Sequence, residues 1–284
     1  MKQRRRYVLP VMLALLLSLS VVSNAEQFKL TVMQDQAGAA HKFKPMADYL
    51  ATKGIQVSFV PAKDYSAAAY MFSVGEVDAM FSGSGIAGSL ILKELAVPLV
   101  RPLDLDGHTT YWAVVIGPKG SPKFNGSAEY FKGKRVIFTS LASSGEFYFR
   151  SLPGAQQANA TMLKAASHGD ALDALNKGQA DFAIVKNRVW DDTRAKYPDL
   201  MMTGEDRGEN PDNTLIVTRK IPQALAAKVS AAFLALKDET SPQAQAVKKS
   251  MQIKGFVRTT NKDFDHTFTL LSKAGATKSF NFSY

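Results

Sequence analysis

The sequence predicts an α/β fold made of two successive series of strands and helices, each forming a mainly parallel sheet flanked by helices. Strand-like and helix-like apolar patterns alternate along nearly the whole chain, as expected where parallel sheets are covered by helices. The alternation breaks once, at the turn Gly117-Pro118-Lys119-Gly120-Ser121-Pro122, and then resumes. A last strand pattern at 214–218 is followed only by helical patterns, so the second series reads as inserted into the first.

In order, residues 28–33 alternate apolar and polar as a strand, and 41–52 place Phe43, Met46, Ala47 and Leu50 at helical spacing before Gly54. A strand at 55–60, a helix at 66–73, a strand at 79–81, a helix at 86–95 and a strand at 97–100 follow. Residues 111–116 form a longer apolar strand. The second series has strands at 136–138, 161–165, 181–185 and 200–203, with helices from 143, at 170–176 and at 187–196. After the strand at 214–218 come helices at 224–236, 243–251 and 263–272. The strands near 111–117 and 214–219 are expected to be the two hinge strands between lobes. Residues 26–113 and 218–284 then form lobe 1, and 114–217 lobe 2.

The first 25 residues read as a secretory signal. Lys2, Arg4, Arg5 and Arg6 precede an apolar stretch from Val8 to Val22, and Ser23-Asn24-Ala25 supplies small residues for cleavage. The stretch is short for a spanning helix, although an uncleaved anchor is the alternative. Cleavage after Ala25 leaves 259 residues that carry 31 of the 35 Lys+Arg and all 25 Asp+Glu, a net charge of +6 instead of +10. That excess attracts small anions but lacks the basic tracts that mark nucleic-acid binding, so no nucleic-acid partner is expected. With no cysteine, the chain offers no disulfide, thiolate metal site or cysteine nucleophile. A bacterial periplasm is the expected location.

Residues 133–150 carry the clearest site signal. A short apolar strand, Val136-Ile137-Phe138, leads through Ser143-Ser144-Gly145 into the helical run Phe147-Tyr148-Phe149. A strand, a Ser/Gly turn and a helix start bring free backbone N–H groups, two hydroxyls and a positive dipole end to one point, which suits an anion. An ordinary Ser cap gives the same pattern. The loops at 64–65, 82–85, 140–145, 167–168 and 212–213 all follow strands, where open α/β sheets hold their ligands.

Several stretches taken in order resemble the periplasmic phosphate/phosphite/phosphonate substrate-binding proteins of ABC importers. Phe43-Lys44-Pro45-Met46-Ala47-Asp48-Tyr49-Leu50 is similar to that family's first helix. Asp64-Tyr65, Gly75-Glu76-Val77-Asp78, Gly133-Lys134-Arg135, Ser144-Gly145, Ser167-His168, Gly178 and Asp181 continue the likeness. The resemblance implies a two-lobed type II periplasmic binding fold that closes on a small oxyanion, a phosphonate, phosphite or phosphate-like group. It implies ligand contacts from Tyr65, Ser84, Ser143, Ser144 and His168, and from Asp212 toward a ligand amine. Three departures stand out: Ala142 replaces the first serine of the anion loop, Glu146 replaces an aromatic, and Ser82-Gly83-Ser84-Gly85 lacks the usual Pro and aromatic.

Each of these residues also has a plain structural role available. Tyr65 could be a rim aromatic, His168 a satisfied surface histidine and Asp212 a turn residue. Tyr111 and Trp112 could line the cleft or merely pack, and Arg150 is placed to pair with Glu146 one helical turn away.

No catalytic constellation emerges. Gly83-Ser84-Gly85 would need Gly at position 82 to be a nucleophile elbow, and no His-Glu-x-x-His or Walker loop occurs. Asp104-Leu105-Asp106-Gly107 lacks the closing carboxylate of a calcium loop. The chain is therefore expected to be no enzyme and to need no metal or cofactor. It would bind a small anionic ligand as a monomer and present it to an ABC permease. The alternatives are a sensing subunit facing a membrane kinase, binding of a different small organic ligand, and, more distantly, a secreted hydrolase.

Overall fold

The computed structural model describes residues 27–33, 43–139 and 143–279. The signal-like segment 1–25, the start of the first predicted helix and Ala142 lie outside the described residues. Among those described, no helix is long and apolar enough to cross a membrane.

The first part of the chain forms β1 (Phe28–Met33), α1 (Lys44–Thr52), β2 (Val57–Ala62), α2 (Tyr65–Val74), β3 (Ala79–Ser82), α3 (Ser84–Leu92) and β4 (Ala96–Asp104). A two-residue strand β5 (Thr110–Tyr111) precedes β6 (Ala113–Pro118). Then come β7 (Arg135–Thr139), α4 (Ser144–Ser151), β8 (Thr161–Ala165), α5 (His168–Asn176), β9 (Phe182–Lys186), α6 (Asn187–Thr193) and β10 (Leu200–Glu205). The chain ends with β11 (Asn210–Pro211), β12 (Thr214–Thr218), α7 (Gln223–Ala235), α8 (Pro242–Met251), β13 (Ile253–Arg258) and α9 (Asp265–Lys273).

Two sheets result. The six-stranded sheet has the order β13-β4-β12-β3-β1-β2, and the five-stranded sheet the order β10-β6-β9-β7-β8. In the first, β1, β2, β3 and β4 run one way and β12 and β13 the other. In the second, β6 alone opposes the rest. Most strands of each sheet thus point one way, but the sheets are mixed. The strands that run against them make three of the five pairings in the first antiparallel and two of the four in the second, so the mainly parallel sheets expected from the sequence are parallel only on one side.

The strands expected as hinges lie inside the sheets. β6 belongs to the five-stranded sheet and β12 to the six-stranded one, so residues 214–217 fall with the first sheet by strand pairing. The links are the shorter stretches before them, which touch as the antiparallel ribbon β5–β11. β13 was not expected. Gly255, with a positive φ, interrupts its apolar alternation at a register shift against β4.

Both sheets use the same clasp. After α2, Gly75 turns the chain with φ 82° and Asp78 takes the backbone N–H of Lys29 on its carboxylate at 2.8 Å. After α5, Gly178 turns with φ 69° and Asp181 takes the N–H of Arg135 at 2.7 Å. In each case the aspartate's own N–H returns a bond to the same residue's carbonyl. Such turns need a residue without a Cβ.

One apolar core, with Phe28, Tyr49, Leu50, Phe233 and Phe256, lies between the six-stranded sheet and α1, α7 and α8. Another, with Val114, Ile137, Leu172 and Trp190, lies under α5 and α6. The largest runs continuously from Phe72 and Leu90 through Phe264 and Leu271 to Phe138 and Phe147. α9 therefore does not simply return to the first sheet with the other C-terminal helices: it packs against both α3 and α4. It is tied to the second link by His266 Nε2 with Asp206 (2.8 Å) and by Thr267 Oγ1 donating to Asn210 (2.7 Å).

Candidate functional site

Four helices begin at one cavity. Tyr65, Ser84, Ser144 and His168 are the first residues of α2, α3, α4 and α5, and each helix follows the carboxyl end of a strand. Small caps make these starts. Asp64 accepts from the N–H of Ala67 at 2.7 Å, Ser143 from Glu146 at 3.1 Å and Ser167 from Asp170 at 3.1 Å. The remaining N–H groups of each first turn, with the helix dipole behind them, favour negative charge at the same place.

The cavity has a volume of about 270 Å³ and takes its wall from both sheets. Tyr65, Ser84 and Asn213 come from the side of the six-stranded sheet, and Thr139, Ser143, Ser144, His168 and Lys186 from the other. Tyr111, at the ribbon between them, is 1% exposed and shares a hydrogen bond with Ser84 Oγ at 2.7 Å. Gly145 lets α4 sit this close: a Cβ there would meet the carbonyl oxygen of Ile184 at 2.7 Å.

His168 and Lys186 give the cavity its electrostatics. The Nδ1 of His168 is buried and has no hydrogen-bond partner among the described residues. Burial, with the nearby Lys186 charge, pushes the imidazole down to about 3, so it stays neutral at ordinary pH. Lys186 lies with its ammonium 4.2 Å from the Tyr111 ring centroid and donates to Asp212 Oδ1 at 2.5 Å. Burial lowers its pKa, while Tyr111 and Tyr65 work the other way. Arg188 bridges Asp212 to Asp104, so acids and bases alternate behind the wall.

Of the sequence candidates, the structure brings Tyr65, Ser84, Ser143, Ser144 and His168 to one wall. Asp212 is set behind Lys186, and its neighbour Asn213, at φ 39°, reaches the cavity in its place. Glu146 is fully buried beside the cavity but off its wall, and accepts from Arg150 at 2.8 Å. The altered anion loop therefore puts no carboxylate on that wall. Trp112 is also absent from it, donating instead to Glu205 at 3.0 Å.

Sequence reasoning missed Lys186 because it sits between a strand ending at 185 and a helix starting at 187. The available signal was its place at the carboxyl end of a strand, as with the other loops. Elsewhere, Asp104, Asp106 and His108 approach one another at the surface, with the Asp104 carboxylate accepting from the N–H groups of the other two and from Arg188.

Residues 28–264 match the family described as ABC transporter, phosphonate, periplasmic substrate-binding protein. The chain belongs to that family. Its members are binding components of transport and are periplasmic. No curated protein matches the sequence as a relative.

Among solved structures, XAC2383 from Xanthomonas citri bound to chloride is similar at a TM-score of 0.70 and 18% identity, over 88% of this chain and 96% of that one. PhnD1 from Prochlorococcus marinus (MIT 9301), in complex with methylphosphonate, gives 0.68 and 15%, over 89% and 100%. A histidine kinase sensor domain with similarity to periplasmic binding proteins gives 0.54 and 14%, over 82% and 98%. At such identities these likenesses establish the fold: a type II periplasmic binding protein with two sheet-based lobes.

Proposed function

We propose that this chain captures a small oxyanion of the phosphonate, phosphite or phosphate type in the cavity between its sheets. It then presents the closed, liganded form to the permease of an ABC importer. The observation that carries this is the wall itself: four helix starts, serine hydroxyls and a lysine, with a buried histidine nitrogen that has no partner and no carboxylate among the described residues. Tetrahedral oxyanions need several directed donors, and charge-assisted bonds from such donors supply the energy.

In this reading Tyr65, Ser84, Ser143, Ser144 and His168 contact the ligand, and Asp212 acts by holding Lys186. The two lobes follow the sheets and close about the β5–β11 ribbon, because the anion meets both walls only when they are together. The protein works as a monomer without catalysis, after cleavage behind Ala25.

Calorimetric titration of the purified chain with methylphosphonate, phosphite, phosphate and a sulfonate tests the reading. Saturable binding of at least one phosphorus oxyanion is expected; no heat from any of them up to millimolar concentration overturns it. The fold likeness to a kinase sensor domain favours a second reading, in which the liganded form signals to a membrane kinase. Ligand-dependent uptake into vesicles carrying the permease supports import, and ligand-dependent kinase phosphorylation supports sensing.

A further inference from the structure

We propose that Lys186 sets the ligand's chemical class: an oxyanion joined by a short linker to a second anionic group, and not one that carries an ammonium. This rests on the oxyanion reading of the cavity and adds the other end of the ligand. The first observation is size. About 270 Å³ is room for roughly nine water molecules at ~30 Å³ each, more than one tetrahedral oxyanion fills.

The second observation is the sign of the wall. Lys186 is its only charged side chain among the described residues, at the end of β9. His168 beside it stays neutral. Burying a lysine is costly unless it is paired. Asp212 supplies that pairing at 2.5 Å but divides its carboxylate between Lys186 and Arg188, while Arg188 is in turn shared with Asp104. The alternating chain thus ends with its positive member toward the cavity.

A carboxylate or second phosphonate there gains charge-assisted hydrogen bonds. A ligand ammonium meets a like charge and finds no acid on the wall among the described residues.

The test is calorimetry on the full chain with methylphosphonate, phosphonoacetate, 2-aminoethylphosphonate and malonate, repeated on Lys186→Met. The expected order places phosphonoacetate about tenfold or more above methylphosphonate, and 2-aminoethylphosphonate below it, tenfold being what one charge-assisted bond supplies. Lys186→Met should erase the phosphonoacetate advantage over methylphosphonate, whatever it does to the affinity for methylphosphonate itself.

Wild-type protein that binds 2-aminoethylphosphonate as tightly as phosphonoacetate overturns the proposal, as does an unchanged ratio in folded Lys186→Met. Should that variant fail to fold by circular dichroism, the wild-type order decides alone. Malonate binding lost in Lys186→Met, with no phosphonate bound, overturns the pairing of a phosphonate with a second anion, and with phosphite and phosphate also silent it overturns the oxyanion reading. Silence from all four ligands overturns this proposal, and silence from phosphite and phosphate as well overturns the oxyanion reading.

Discussion

Ser144 and His168 make opposite demands on their surroundings, and that difference can be measured. Ser144 is 5% exposed on the cavity wall and is not its helix's cap, so Ser144→Ala should remove a ligand bond while leaving α4 capped by Ser143. A loss of about 1.5–3 kcal/mol in anion affinity is expected, read by calorimetry, with an unchanged melting temperature. His168 should reveal itself in stability. Its folded pKa lies near 3, below the ordinary value of about 6.5, so the unfolded chain takes the proton first. As pH falls through that window the fold is penalised, by up to about 1.4 kcal/mol per pH unit, and the penalty stops growing below about 3. Urea unfolding between pH 7 and 4 should therefore show a shallower loss for His168→Gln than for wild type. At this scale the wall was legible wherever a residue followed a cap: Asp64-Tyr65, Ser143-Ser144 and Ser167-His168 announce helix starts. Lys186 and Asn213 follow no such signal, and Asp212 gave the wrong one, because a carboxylate in a loop does not disclose which cation will claim it.

Among the elements, α4 depends most on one small residue. Gly145→Ala puts a methyl group 2.7 Å from the Ile184 carbonyl oxygen, backbone that cannot swing aside. The helix must lift from β9, at an expected cost of about 1–3 kcal/mol, visible as a lower melting temperature and, through displaced Ser143 and Ser144, as weaker anion binding. Most elements could be read from period alone, since buried strands such as β6 and β9 are short apolar runs and α1 keeps its apolar residues at helical spacing. β13 escaped because Gly255 breaks its alternation. The ribbon β5–β11 escaped because two-residue strands leave no period to detect.

For the whole molecule, Arg188 joins parts that strand pairing keeps apart. It projects from α6 on the five-stranded sheet, yet pairs with Asp104 at the end of β4 and with Asp212 beside β12. Arg188→Ala should loosen the approach of the two sheets. The cost lies between the ~1 kcal/mol of an exposed pair and the ~3–5 kcal/mol of a buried one. Small-angle scattering of the ligand-free variant should show a larger radius of gyration than wild type, and saturating anion should bring the two together. The strands and helices on either side of the two sheets were readable from their patterns, but which sheet claims β6 and β12 was not, since that depends on pairing between distant strands. The aspartate clasps carry a last consequence. Tyr65 stands ten residues before Gly75 and thirteen before Asp78, and His168 stands at the same intervals before Gly178 and Asp181. The segments from Tyr65 to Asp78 and from His168 to Asp181 therefore span one length, each fastened at its far end and delivering one side chain to the cavity at its near end. Lengthening either by a single residue would turn that side chain by roughly 100° about the helix axis with the clasp still fastened. Each wall receives its side chain at the same count of residues from its clasp.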